Sequence, residues 1–313
     1  MENIHYRTIE KRLKVSVEKL YEDSKDILNQ IEQGFCEKKK EKPVVGYQGV
    51  VGSFGEEATN LYFKESFSEK KNYSAFEQVL QALRKREIDY GVLPIENSFT
   101  GEVLEVYDLV NKYDLHIVGE ELVKVEHNLL APKGAQLETL QEVYSHPQAF
   151  GQCKHFLEKY PHIKFIPYAN TAMAGEYVAK LQDQTKGAIA SMRAAKTYNL
   201  EVLQGGIHTN QDNYTRFIVL ARKMEIEPSC DKVSIVFTTS HTSGALYRVL
   251  SHFAYNGLNL LKIQSRPTKD KKWHYFFFVD LEGNLEDANM LIALGKVKKD
   301  TEYLRILGNY PKK

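Results

Sequence analysis

Residues 213–222 read NYTRFIVLAR, and the two halves of this stretch ask for different surroundings. Ile218, Val219 and Leu220 are β-branched or aliphatic and suit a buried strand. Asn213, Thr215 and Arg216 instead put three hydrogen-bonding side chains at the mouth of that strand. In an open α/β fold, polar residues at strand ends line a ligand cleft. A polar strand cap with a surface arginine is the plainer alternative.

Working outward, strands alternate with helices on the N-terminal side of this stretch. VVGYQG (44–49) reads as a strand and a glycine turn, with a helix beginning near Ser53. SAFEQVLQALRKREID is a helix, YGVLPIE a strand, and the extended run over 115–131 is placed as a crossing between two lobes. LQEVYS, IKFIPYAN and KGAIAS are strands that lead into helices at Pro147, TAMAGEYVAKL and MRAAKTYNL. This alternation predicts an α/β body, largely parallel, over residues 43–224. Beyond it the order changes to strand, helix, two strands, helix, strand over 230–308, which is the ferredoxin-like βαββαβ plan. Residues 1–42 read as one or two amphipathic helices, with Val15, Val17, Leu20, Tyr21, Leu28 and Ile31 at helical spacing, followed by the charged linker CEKKKEKP.

A chain of 313 residues is long for a single core, and two or three domains are expected. A net charge of +1 gives no reason to expect nucleic acid or a membrane surface as partner. Three dispersed cysteines do not make a disulfide framework and suit a reducing, cytoplasmic setting. Cys153 reads as a small buried apolar residue, and no metal-ligand spacing is present. Glycines 46, 49, 52 and 55 fall at every third residue, which matches neither dinucleotide nor P-loop spacing.

Four stretches share one habit: a strand that ends in small polar residues. They are LPIENSFTG (93–101), YSHPQAFGQC (144–153), YANTAMAG (168–175) and NYTRF (213–217). Helix N-termini at such junctions offer free N–H groups and the positive end of a dipole, which together suit a small polyanion.

GSFGEEA, PIENSFTG, SHPQAFGQC, NTAMAG, GAIAS and NYTRF, in this order, resemble the prephenate dehydratase family. SGALYRVLSHFAYNGLNLLKIQSRP followed by YFFFVDLEG resembles the ACT domain that accompanies it. The resemblance covers residue 43 to about 307. It implies a two-lobed, periplasmic-binding-protein-like catalytic domain that turns prephenate into phenylpyruvate without cofactor or metal. Its catalytic residues would be Thr215, Glu96, Asn97, Ser145 and Gln152. Substrate contacts would come from Ser53, Ser98, Thr171, Arg216 and Phe217. Thr215 is the expected donor to the leaving hydroxyl, and Glu96 supplies the proton if burial raises its pKa. Strand alternation puts Thr215 and Arg216 on opposite faces, so Arg216 either clamps a carboxylate or holds the lobes together. His146 is read mainly as a helix-start residue.

The ACT-like segment implies L-phenylalanine as an allosteric effector, bound by Gly244, Ala245, Leu246, Asn259, Leu260, Gln264, Ser265 and Arg266, in a homodimer or homotetramer. Ser243 stands where the family usually has Pro, and Gln264 where it has Glu, which weakens the expected grip on an α-ammonium. The front segment is too short for a full chorismate mutase domain and reads as a possible remnant of one. Arogenate dehydratase, or a non-catalytic binding protein of the same two-lobed fold, are the alternative functions.

Overall fold

The computed structural model describes residues 17–34, 40–64, 68–268 and 273–313. The expected positions Val15, Val17, Leu20 and Tyr21 lie outside the described side chains. Helix α1 (Val17–Gly34) is followed by β1 (Val44–Gln48), α2 (Phe54–Phe63), β2 (Glu69–Tyr73), α3 (Phe76–Arg84) and β3 (Tyr90–Asn97). Next come β4 (Gly101–Glu102), α4 (Leu104–Lys112) and β5 (His116–Lys124), which complete the first pass through one lobe. The second lobe holds β6 (Asn128–Ala131), β7 (Glu142–Ser145), α5 (Pro147–Gln152), α6 (Lys154–Leu157) and β8 (Lys164–Pro167). It continues with α7 (Thr171–Leu181), β9 (Lys186–Ala190), α8 (Met192–Thr197) and β10 (Glu201–Gln204). The chain then returns to the first lobe as β11 (Tyr214–Ala221). It ends in β12 (Lys232–Thr238), α9 (Ala245–Tyr255), β13 (Leu260–Pro267), β14 (Tyr275–Glu282), α10 (Ala288–Lys299) and β15 (Tyr303–Tyr310).

Both lobe sheets are mixed, which corrects the expectation of largely parallel strands. The first has the order β2-β1-β3-β11-β5 with β4 beside β3, and the second runs β10-β6-β9-β7-β8. β1 is parallel to β2 and β3, and β7 to β8 and β9. β11 runs antiparallel to both β3 and β5, and β6 antiparallel to β9 and β10. The reason lies in the crossings. β5 leaves its sheet at the end where β3 also finishes, so any strand arriving from the other lobe enters at that end and points back. β11 and β6 are the two strands that arrive this way.

The two crossing segments, around 125–127 and 205–213, lie side by side. Ile207 N–H donates to the His127 carbonyl at 2.9 Å, and Val125 N–H to the Asn213 carbonyl at 2.7 Å. Gly206 N–H donates to Asn128 Oδ1 at 3.2 Å. The lobes also touch where Gly52, with φ +85°, approaches Ala194. Its carbonyl accepts from Ser191 Oγ at 3.1 Å, and Arg193 pairs with Glu56 at 2.8 Å.

The C-terminal sheet is wholly antiparallel, in the ferredoxin-like order β13-β14-β12-β15. Every residue of β12 is buried, because both of its faces are covered. Val233, Ile235 and Phe237 pack under α9 and α10, while Val236 joins Phe278, Leu307 and Tyr310 in a core shared with β3, α4, β5 and β11. The C-terminal unit is therefore seated on the first lobe. Helix α1 covers its far side. Ile27, Leu28 and Ile31 enter the core beneath α10, and the Gln30 side chain donates to the Leu304 carbonyl at 3.3 Å and accepts from Ile306 N–H at 3.2 Å. A side-chain amide thus closes the open edge of β15, which would otherwise present unpaired backbone groups.

Two positions make this seating measurable. β15 crosses so close to β5 that a Cβ on Gly308 would lie 1.9 Å from the Ile117 carbonyl oxygen. Gly308→Ala is expected to cost about 3 kcal/mol in denaturant unfolding. His116 sits at the same junction, where burial and the Arg305 charge lower its pKa from 6.5 to about 4. The unfolded chain takes up that proton near its ordinary value and the folded chain does not, so this contribution is present above the unfolded pKa and is lost as pH falls through the window toward the folded one. Urea titrations across this acid range should show a loss of about 3 kcal/mol that is absent in His116→Gln.

Candidate active site

The pleat of β11 sorts the NYTRF residues onto two faces. Thr215 stands opposite Asn97 of β3, and Arg216 opposite Glu96. Successive side chains on a strand alternate, so the Asn97–Thr215 pair and the Glu96–Arg216 pair point away from each other.

On the first face, Asn97 is the organiser. Its Oδ1 accepts from the backbone N–H groups of Phe99 and Thr100, both at 3.0 Å, which fixes the amide's orientation. Its Nδ2 then donates to Asn213 Oδ1 at 2.8 Å and to Thr215 Oγ1 at 2.9 Å. Because Thr215 Oγ1 accepts from Asn97, its own O–H proton is left to point elsewhere. Beside Asn213 a recess of about 150 Å³ opens between the lobes, lined also by Phe99, Gln152, His155 and His208. Gln148 reaches across from the second lobe to Thr100 Oγ1 at 3.0 Å. Gln152 Oε1 is 2.6 Å from His127 Nε2, which turns the Gln152 amide N–H groups away from His127. Burial, together with the neighbouring His208, pulls the His127 pKa below the ordinary histidine value, so its ring is neutral.

The second face faces the C-terminal unit. Arg216 pairs with Glu96, with Glu120 at 3.6 Å and with Asp280 of β14 at 3.9 Å. Lys232 of β12 meets the same Glu120 at 2.8 Å and Asp280 at 3.3 Å. Lys262 of β13 meets Glu96 at 2.9 Å and Glu102 at 3.3 Å. Burial would raise the Glu96 pKa, but Lys262 and Arg216 outweigh it and hold the carboxyl below its usual range. Glu96 is therefore ionised and engaged away from Thr215, which corrects its expected part as a proton source. Arg216 does not hold the two lobes together as expected: its partners lie in the first lobe and in β14, so it ties β11 to the C-terminal sheet.

The remaining candidates fall outside the Asn97–Thr215 group. Phe217 is a core residue of the first lobe, 3% exposed. Ser98 Oγ donates to the Asp212 carbonyl at 3.0 Å and accepts from Tyr214 N–H at 2.9 Å, so it fastens the start of β11. Ser145 is fully buried and donates to the Ile189 carbonyl at 2.8 Å. Ser53 and His146 cap α2 and α5, and Thr171 opens α7 behind its cap Asn170. Asn213, noticed in the sequence at the strand mouth but given no role there, joins the site, and sequence reasoning passed over His127 and His208. VEHNLLAP and GGIHTN gave no spacing that would bring the two histidines together; only the paired crossings do. Among the described residues no group of three or more His, Cys, Asp or Glu side chains is arranged to hold a metal ion, and no helix is long and apolar enough to cross a membrane.

Residues 45–225 match the family model described as prephenate dehydratase. The chain belongs to the prephenate dehydratase family. It is 38% identical over 279 residues to a bifunctional chorismate mutase/prephenate dehydratase of Aquifex aeolicus, covering 88% of this chain and 76% of that one. It is 38% identical over 284 residues to arogenate dehydratase 2 of Petunia hybrida, covering 85% and 71%. A prephenate dehydratase from Arthrobacter aurescens, solved in complex with L-Phe, superposes with a TM-score of 0.78 at 29% identity, covering 86% of this chain and 90% of that one. A structure described as a quorum-quenching acylase superposes with a TM-score of 0.79 at 26% identity, over 86% and 98%. The prephenate dehydratase match ends just past β11, and the C-terminal unit lies beyond it.

The two faces predict separable phenotypes. Arg216→Met leaves Glu96, Glu120 and Asp280 short of a cation and is expected to cost about 3 kcal/mol of stability, with KM for substrate within about twofold of the unmodified chain. Thermal unfolding and steady-state kinetics on one preparation check both.

Proposed function

We infer that this chain is an enzyme that converts prephenate to phenylpyruvate, carbon dioxide and water. The observation that carries the reading is the Asn97 Nδ2 to Thr215 Oγ1 bond of 2.9 Å, which frees the threonine proton for a ligand. In the reaction the ring carboxylate leaves as carbon dioxide. Its bonding pair enters the ring, and the hydroxyl across the ring departs. Hydroxide is a poor leaving group, so a donor must meet that oxygen as the bond breaks. Thr215 O–H is that donor, and the proton it gives is replaced from solvent, since the reaction as a whole takes up one proton. Gln152 holds the substrate with neutral N–H groups. Neutral donors suit this step, because tight binding of the departing carboxylate would stabilise the ground state and slow its loss.

Phenylalanine as a feedback effector belongs to the same reading, supported by the L-Phe complex of the Arthrobacter relative. The proposed contacts are Gly244, which precedes α9 at φ +76°, with Ala245 and Leu246 behind it, and Asn259, Leu260, Gln264 and Ser265 around β13. Leu246 and Leu260 pack against one core. Arg266, expected in this set, is engaged by Asp108 of α4 at 2.8 Å and is left out of it. β13 is an edge strand with Leu261 and Ile263 37% and 39% exposed, which suits pairing with a second copy in a homodimer or a tetramer built from it. A cytoplasmic setting is part of this reading.

Phenylpyruvate release from prephenate by the purified chain tests the activity. Thr215→Ala is expected to lower kcat by about 10²–10⁴ with the fold intact; an unchanged kcat would remove Thr215 from the mechanism. Phenylalanine should inhibit the unmodified enzyme, and Gln264→Glu should lower the half-inhibiting concentration about tenfold by restoring a charge for the α-ammonium.

A further inference from the structure

We propose that His208 is a specificity-determining residue whose Nε2–H holds a substrate carboxylate, in a recess that takes the dianionic keto acid in preference to its zwitterionic amino-acid counterpart. The inference rests on the dehydratase reading and deepens it.

His208 is 4% exposed and lines the recess between the lobes. Its Nδ1 accepts from the His127 backbone N–H at 3.4 Å. A neutral imidazole with an accepting Nδ1 carries its proton on Nε2. That Nε2 is buried and has no hydrogen-bond partner in the protein. A buried donor without a partner is costly and calls for one. The paired crossings hold the ring in place on one side, so the free N–H is fixed in direction before any ligand arrives.

The rest of the wall says which ligand group fits. Lys154, His155, Gln152, Asn210 and Asn213 line the same recess, and no carboxylate side chain does. The wall therefore offers hydrogen-bond donors and one cation, which favour carboxylates. An α-ammonium in the recess would meet Lys154 with no carboxylate in the lining to balance it, since the nearby Glu158 and Glu126 are paired with Lys154 and Lys124 at 3.8 and 2.7 Å. Prephenate presents a keto group and a carboxylate on its side chain, whereas arogenate presents an ammonium beside that carboxylate. The chemistry of the wall thus separates two substrates that differ at a single carbon. With Nδ1 accepting from His127, the N–H that His208 offers is at Nε2, and it contributes direction beside the charge of Lys154.

The test compares kcat and KM for prephenate and for arogenate in the unmodified chain, His208→Gln, His208→Leu and His208→Asp, with thermal unfolding of each. The unmodified enzyme should prefer prephenate at least tenfold in kcat/KM. His208→Leu should raise KM for prephenate about tenfold with kcat within threefold. His208→Gln, which can accept from His127 and still donate, should recover most of that loss. His208→Asp should move the ratio of kcat/KM toward arogenate. If the leucine variant does not fold, the glutamine and aspartate variants carry the decision. Unchanged KM in the leucine variant, or an unchanged substrate ratio in the aspartate variant, overturns the role of His208 while leaving the dehydratase reading standing. An unmodified chain that is folded yet inactive on both substrates overturns the dehydratase reading, and this inference falls with it.

Discussion

The two-residue repeat of a β-strand is the constraint on which the arrangement turns. β11 is the strand that brings the chain back from the second lobe, and it lies between β3 and β5. Its odd and even side chains have different tasks. Asn213 and Thr215 join Asn97 at the cleft, while Arg216 joins Glu96, Glu120 and Asp280 against the C-terminal sheet. A slip of one residue in the register of β11 would exchange the two sets. Such a slip would bury Thr215 among carboxylates and put a guanidinium in the cleft. The ionic network is thus a register device as much as a source of stability. Buried ion pairs return little net free energy once desolvation is counted, but they penalise wrong alignments heavily.

The same logic explains why the C-terminal unit is not a loosely tethered module. β12 carries Lys232 and Ser234 on the face where a free-standing ferredoxin-like sheet would meet solvent. Both are buried: Lys232 on Glu120 and Asp280, and Ser234 on Asp280 at 2.6 Å. Lys262 and Arg266, on alternate positions of β13, reach Glu96 and Asp108 of the first lobe. Lys232, Lys262, Arg266, Asp280 and Arg305 of the C-terminal sheet therefore all contact the lobe that holds Thr215. Two of these contacts, Lys262 on Glu96 and Asp280 on Arg216, reach residues next to the Asn97–Thr215 pair. Any displacement of that sheet acts first on Glu96 and Arg216, which flank this pair in the sequence.

Much of this was legible in the sequence. TAMAGEYVAKL matches α7 to the residue, and the βαββαβ order could be read directly, because amphipathic periods are local. Thr215 and Asn97 could be named from short motifs, and the alternation at Arg216 was visible as an ambiguity with two outcomes. What was not legible depended on contacts distant in sequence. The antiparallel direction of β11 follows from which end of the sheet the chain re-enters. The ionised state of Glu96 follows from Lys262, which is 166 positions away in the numbering. The His127–His208 contact follows from two crossings lying side by side. Ser98, Ser145 and Phe217 look like site residues in a linear motif because they build the frame around one, and only their hydrogen-bond partners and packing separate frame from site.

The most direct test of the two-faced strand is a crystal structure of the protein with an unreactive analogue of prephenate that keeps the ring hydroxyl. The account predicts Thr215 Oγ within hydrogen-bonding reach of that hydroxyl, roughly 2.6–3.2 Å, with Arg216 still on Asp280. An analogue whose carboxylate sits on the Arg216 guanidinium, with Thr215 turned away from the ligand, would contradict it.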